Sequence, residues 1–238
     1  MTENAPVAQG GLFEDLIEVL YTPSAVFDRT RAVKATKYVL VTTVVVLVIA
    51  IATKNILTPW LDAQGDLAVQ LAADKGTPMP PEAAAGIRAS TGWFIVGFAP
   101  LLFLIGPYVN AALIVLGAKL FKAPISFAQA AVVATLAGVP RLIAWIALPV
   151  AALVSDGAAA RSLSDLSLGP ARFFDPRTTS QPVMTLLANL DLFRFWQLAL
   201  VAIGVSVIAR VPRSTGALIA LVMFGIAAML QLIPSAFA

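Results

Sequence analysis

The chain has 238 residues, of which 59% are hydrophobic and only 12% charged, with a mean hydropathy of +0.89. A soluble domain carries about 25% charged residues, so this composition excludes a water-soluble globule and a disordered chain. Cys and His are both absent, which removes disulfides, thiolate metal sites, imidazole bases and His-dependent triads. The expectation is an all-α integral membrane protein that is not an enzyme and uses no cofactor. The net charge of +3 comes from scattered basic residues, so nucleic acid is not an expected partner.

Residues 1–34 read as a cytoplasmic amphipathic segment. In GLFEDLIEVLYTPSAVFDRT, residues 11–30, the side chains of Leu12, Phe13, Leu16, Ile17 and Leu20 fall on one helical face. Glu14, Asp15 and Glu18 fall on the other. Thr22 followed by Pro23 is a cap with proline at the first helical position, so two short helices are expected. Basic amphipathic helices favour anionic lipid, and this one is acidic. It is therefore read as packing under its own bundle, with docking of another protein as the alternative.

Residues 35–233 read as a five-span membrane bundle. A spanning helix needs about 20 mostly apolar residues, and the long uncharged intervals place spans near 36–54, 91–117, 127–154, 193–209 and 214–233. The first apolar run begins only after Lys37, farther in than the roughly 15–30 residues of a secretory leader, so it is read as a retained span. Span three contains Pro140. It is read as one kinked helix, with two half-helices as the rival.

Two outer loops are expected, 55–90 and 155–192. In the first, Thr58-Pro59 is read as the cap of a short interfacial helix carrying Trp60, Leu67, Ala68 and Leu71 on one face. Gly76 and the prolines after Met79 end it, and Pro81-Glu82 starts a helix leading into span two. The second loop is too long for a simple connector. Its Phe173 and Phe174 are expected to touch the membrane or a partner. Arg29, Arg31, Lys34, Lys37, Lys119, Lys122, Arg210 and Arg213 cluster in short segments on one side, which places the N-terminus in the cytoplasm and the C-terminus outside.

Arg141 is the one charge well inside a span. Such a charge costs about 2.5–3.5 kcal/mol on insertion scales, which makes it a candidate for function or for fixing helix packing. Its candidate partners include Asn110, Tyr108, Gln197, carbonyls freed near Pro140, and Asp191. Asn110, Gln129, Gln197 and Gln231 are read as interhelical hydrogen-bonding residues. Ala202-x-x-x-Ser206 and Gly216-x-x-x-Ala220 permit close backbone approach, for internal packing or for a homo-oligomer.

Three stretches together carry a family pattern. LFEDLIEVLYTPSAVFDR is an amphipathic opening ending in Pro and Phe. GAKLFKAPISFAQAAVVATLAGVPRLIAWI contains Gly-x-x-x-Phe, then Ser-Phe-x-Gln and a later Pro. NLDLFRFWQLALVAIGVSVIARVPRSTGAL contains Asp-x-Phe-x-x-Trp, then Ile-Gly, then a short basic loop. The pattern resembles the YIP (Ypt-interacting protein) domain family in its bacterial branch, over about residues 12–233. The resemblance implies five spans with a cytoplasmic N-terminus. Eukaryotic relatives bind Rab-type GTPases through a long cytoplasmic region that is not seen here, and some bacterial relatives serve ABC exporters. The family has no agreed catalytic residues, so none is carried over. An Ala-rich composition with ten Arg against six Lys hints at a GC-rich bacterium.

The function expected is thus a membrane accessory or scaffold protein of the bacterial inner membrane, bound to another integral membrane protein, with an ABC exporter foremost. A small transporter or channel built around Arg141, or a lipid-binding, membrane-shaping protein, are the alternatives. Contact candidates are Arg141, Asn110, Gln197, Asp191, Glu14, Asp15, Glu18, Phe173 and Phe174.

Overall fold

A computed structural model describes residues 11–237, without the side chains of 94, 95 and 234–237. The described residues contain helices and no strand. In chain order they are α1 (Leu12–Glu18), α2 (Pro23–Arg29), α3 (Thr36–Asp74), α4 (Pro81–Leu120), α5 (Phe127–Leu136), α6 (Val139–Leu153), α7 (Gln181–Ala188), α8 (Leu192–Ala209) and α9 (Arg213–Phe237). Three 3-10 turns, Gly157–Ala159, Leu163–Leu166 and Pro170–Phe173, lie between α6 and α7. Five helical stretches are long and apolar enough to cross a membrane: Thr36–Asp74, Val96–Leu120, Phe127–Leu153, Leu192–Ala209 and Arg213–Ile233. The chain divides into two compact units, one of residues 11–41, 105–140 and 196–226, the other of 42–104, 141–195 and 227–237.

The first unit is built on α5. Residues Ala130–Leu136 are all buried, as expected of a helix that is apolar all round. Its start is a capping box: the Ser126 Oγ accepts the Gln129 N–H at 3.3 Å, and the Gln129 Oε1 accepts the Ser126 N–H at 3.0 Å. Ser-Phe-x-Gln is thus a helix start, and Gln129 serves that cap where the sequence suggested interhelical bonding.

All three family stretches meet at Gly204 on α8. A methyl group there would lie 2.9 Å from the Phe27 ring of α2 and 2.9 Å from Val133 of α5. Phe27 and Val133 are both fully buried. The Pro23-to-Phe27 opening, the central stretch and the Ile203-Gly204 pair therefore form one packing device, a ring seated on a bare helix backbone. Nearby, Gly216 of α9 lies so close to α8 that an added Cβ would be 3.1 Å from Ser206 Cβ. The two small-residue motifs are internal contacts.

The N-terminal pair is tied to the α8–α9 end of the same unit. Arg31 donates to the Val207 carbonyl at 3.0 Å, and Arg213 donates to Ser24 Oγ at 2.9 Å. Helices α4 and α8 both end with a basic residue in the left-handed region, Lys122 and Arg210, each at φ 53°. The Ala123 N–H returns to Ala118 O and the Val211 N–H to Ser206 O, closing the last turn as a glycine usually would.

In the second unit α3 and α4 form an antiparallel hairpin. Here the structure departs from the expected loop 55–90. Thr58-Pro59 caps nothing; Pro59 lies inside α3, which continues to Asp74. The Thr58 hydroxyl donates to the Lys54 carbonyl at 3.3 Å instead. The continuation is held because Leu57, Trp60 and Leu61 are buried against Ala152 and Leu166, so tertiary packing outweighs the proline. Gly76, at φ 76°, ends α3; its N–H bonds Ala73 O and that of Thr77 bonds Ala72 O, a glycine-dependent stop. Gly65 lets the hairpin close, with Thr91 Oγ1 3.2 Å from the position of a Cβ. Lys54 lies 4.0 Å over the Trp93 ring.

Span three is also corrected. It consists of two helices, α5 and α6, separated by Ala137 and Gly138. Pro140 sits in the first turn of α6, where its missing N–H has no intrahelical acceptor to lose. The interruption thus falls just before the proline.

Segment 155–192 is ordered. Asp165 accepts the N–H of Arg161 at 2.7 Å and its guanidinium at 3.0 Å, while Gln64 Oε1 accepts the Leu163 N–H at 3.3 Å. Asn189 donates to Gln231 at 3.0 Å, the hydrogen-bonding role expected of Gln231.

Candidate functional site

The residues singled out from the sequence fall into three places. The first is the N-terminal helix pair. Asp15, a contact candidate on the acidic face of α1, is 3% exposed. It accepts hydrogen bonds from Arg29 Nε at 2.7 Å and from the Tyr38 hydroxyl. Glu18 pairs with Arg29 at 2.6 Å. Burial alone would lower the Arg29 pKa, but hydrogen bonds and charge from Asp15 and Glu18 more than offset it and leave it raised. Glu14 is exposed and its carboxylate accepts the Gly11 N–H at 2.9 Å, capping α1. Most of the acidic side thus serves the fold.

The apolar side of α1 divides in two. Leu16 and Val19 are buried, and Leu12 and Leu20 pack against the same core. Phe13, Ile17 and Tyr21, spaced four residues apart, stand outward at 66, 60 and 66% exposure. The Asp15–Arg29 pair ties α1, which carries Phe13 and Ile17, to α2. Helical spacing groups Phe13 and Ile17 with the other apolar residues, and only the packed structure separates them.

The second place is a cavity of about 210 Å³ in the second unit, lined by Arg141, Ala144, Trp145, Leu148, Asp191, Phe193 and Arg194. Asp191 is the cap of α8, its Oδ1 accepting the Arg194 N–H at 2.8 Å. The Asp-x-Phe-x-x-Trp opening therefore has three jobs: Asp191 starts the helix, Phe193 walls the cavity, and Trp196 packs on the core of the first unit. Arg141 is exposed within its cavity wall and makes no hydrogen bond or ion pair among the described residues. Asp191 is the carboxylate acting on it electrostatically, from beyond ion-pair distance. Arg194, the third residue of α8, is buried in this wall. Nothing in its spacing from Arg141 announces that the two share a cavity.

The third place is the loop between α6 and α7. Phe173 is 79% exposed and Phe174 41%, with the Arg172 guanidinium 5.7 Å from the Phe173 ring. Asn110 is half-buried on α4 and Gln197 is buried on α8, both in the first unit and apart from the cavity lining.

Five apolar helices of spanning length and a polar inventory spent mainly on caps and helix pairing define a multi-pass α-helical membrane protein. The chain matches the Yip1 domain over residues 17–233 and belongs to that family of membrane proteins. No curated protein matches it, and no solved structure does.

Proposed function

We propose that this protein is a non-enzymatic accessory protein of a bacterial inner membrane that docks onto another integral membrane protein, an ABC-type exporter being the partner class that the family resemblance suggests. The observation that carries this reading is the outward ridge of Phe13, Ile17 and Tyr21, each at least 60% exposed. Three large apolar side chains, two on α1 and Tyr21 in the turn after it, favour contact with a partner. The exposed Glu14 beside them disfavours an anionic lipid surface. Phe173, at the other end of the sequence's polar segments, is a second contact candidate.

The orientation proposed has the N-terminus in the cytoplasm and the C-terminus outside. The bonds Arg31–Val207 and Arg213–Ser24 support it, since they join the N-terminal segment to the α8–α9 turn. A five-span path puts those two segments on one side, and their basic residues make that side cytoplasmic.

A photo-crosslinking residue in place of Ile17, activated in native membranes, tests the docking. The expected product is an adduct with a transporter subunit that disappears in Phe13→Ser/Tyr21→Ser. Adducts with lipid alone would count against the reading. A carrier or channel is the second reading, favoured by the cavity around Arg141; flux through reconstituted protein that ceases in Arg141→Leu would support it.

A further inference from the structure

The cavity at the start of α8 carries an inference separate from the docking ridge. Its polar wall holds two guanidinium groups, Arg141 and Arg194, and one carboxylate, Asp191. The charges leave one positive charge in excess. Arg141 has five N–H donors and uses none of them in a hydrogen bond among the described residues. An arginine in a spanning stretch must satisfy those donors somewhere, because the hydrocarbon around it offers no acceptor. One Asp191 oxygen is already committed to the Arg194 backbone N–H.

The rest of the cavity says what kind of acceptor fits. Ala144, Trp145, Leu148 and Phe193 make its other walls apolar. At about 210 Å³ it is smaller than the roughly 300–1,000 Å³ of small-molecule sites, so it suits a single charged group with the remainder of the molecule outside. Helix α8 has 18 residues, about 27 Å of rise, close to the roughly 30 Å hydrocarbon thickness. Arg194 is its third residue and so lies at one headgroup level.

We propose that this cavity binds a phosphate group, supplied by the headgroup of an anionic phospholipid, with Arg141 as its donor and Arg194 adding positive charge to the wall. The phosphodiester's single negative charge matches the excess, and guanidinium is suited to bidentate contact with phosphate oxygens. The negative charge of Asp191 keeps the site from holding a second anion.

The test uses the full chain in nanodiscs of phosphatidylcholine with a minor fraction of phosphatidylglycerol, followed by native mass spectrometry of retained lipid. Wild type is expected to retain phosphatidylglycerol selectively, and Arg141→Gln to lose that selectivity by about ten-fold, the effect of one charge-assisted contact. Ala144→Leu fills the cavity while leaving both arginines in place, and should lose it too. Equal retention by wild type and a folded Ala144→Leu protein overturns the site. Inorganic phosphate is the second arm: if millimolar phosphate displaces the lipid from wild type and protects against heat as well as the lipid does, the source is a soluble phosphate and the lipid assignment falls.

Discussion

Replacing Gly204 with alanine probes the contact where the three family stretches converge. The new methyl would stand 2.9 Å from Phe27 Cε1 and Cζ and from Val133 Cγ1, against an optimal carbon separation of about 3.5–4.0 Å. Both neighbours are fully buried, so relief requires α2 or α5 to move by roughly half an ångström or more. Overpacking of this kind costs about 1–3 kcal/mol. Alanine in a helix interior returns about 0.5–1 kcal/mol relative to glycine, so sterics win and a net loss of about 1–2 kcal/mol is expected. Gly225→Ala on α9 is the control, because its methyl meets nothing within 4 Å; it should be neutral or stabilising. Unfolding by dodecyl sulfate titration from mild detergent, followed by tryptophan fluorescence, measures both. Phe27→Leu combined with Gly204→Ala should cost less than the sum of the two changes by at least about 0.5 kcal/mol. Wild-type stability in Gly204→Ala, or an equal loss in Gly225→Ala, would refute the claim that the ring needs a bare backbone.

Three other outcomes are expected. Asp15→Asn removes one partner of a buried ion pair, a change that costs about 3–5 kcal/mol; Glu18 still holds Arg29, so the lower end applies, read as faster amide exchange across 12–30. Burial works to raise the Asp165 pKa, but Arg161 and the backbone N–H groups of Arg161 and Ser162 outweigh it and hold the carboxyl below its usual 3.8. The folded value is depressed, so its stabilisation is complete above about pH 4 and fades as pH falls through the folded value; proteolysis of 155–180 should accelerate there, and lose that pH dependence in Arg161→Gln. Lys122→Gly relieves a left-handed conformation at φ 53° and should stabilise by up to about 1 kcal/mol. A drop in stability instead would mean that the lysine side chain contributes more than its backbone strain costs.

Membrane class, helical content and the number of spans were legible in the linear chain, because they follow from how much apolar length lies between charges. Helix ends with local chemistry were legible as well: Gly76 stops α3 and Pro81 starts α4. Thr58-Pro59 misled, since the residues that keep α3 helical past the proline, Ala152 and Leu166, lie far away in the chain. Asp15 misled for the same reason. A carboxylate on a seven-residue helix reads as solvated until Arg29 and Tyr38 are folded over it.

Local order and hydropathy therefore determined what this protein is made of and that it belongs in lipid. Only tertiary structure decided which faces stay uncovered and which charges meet. It turned Phe13, Ile17 and Tyr21 outward while burying Leu16, and it brought Arg141 and Arg194, 53 positions apart in number, to one cavity. The physical reason is that burial and electrostatic pairing depend on distance in space, and helical periodicity specifies that distance only within a single helix.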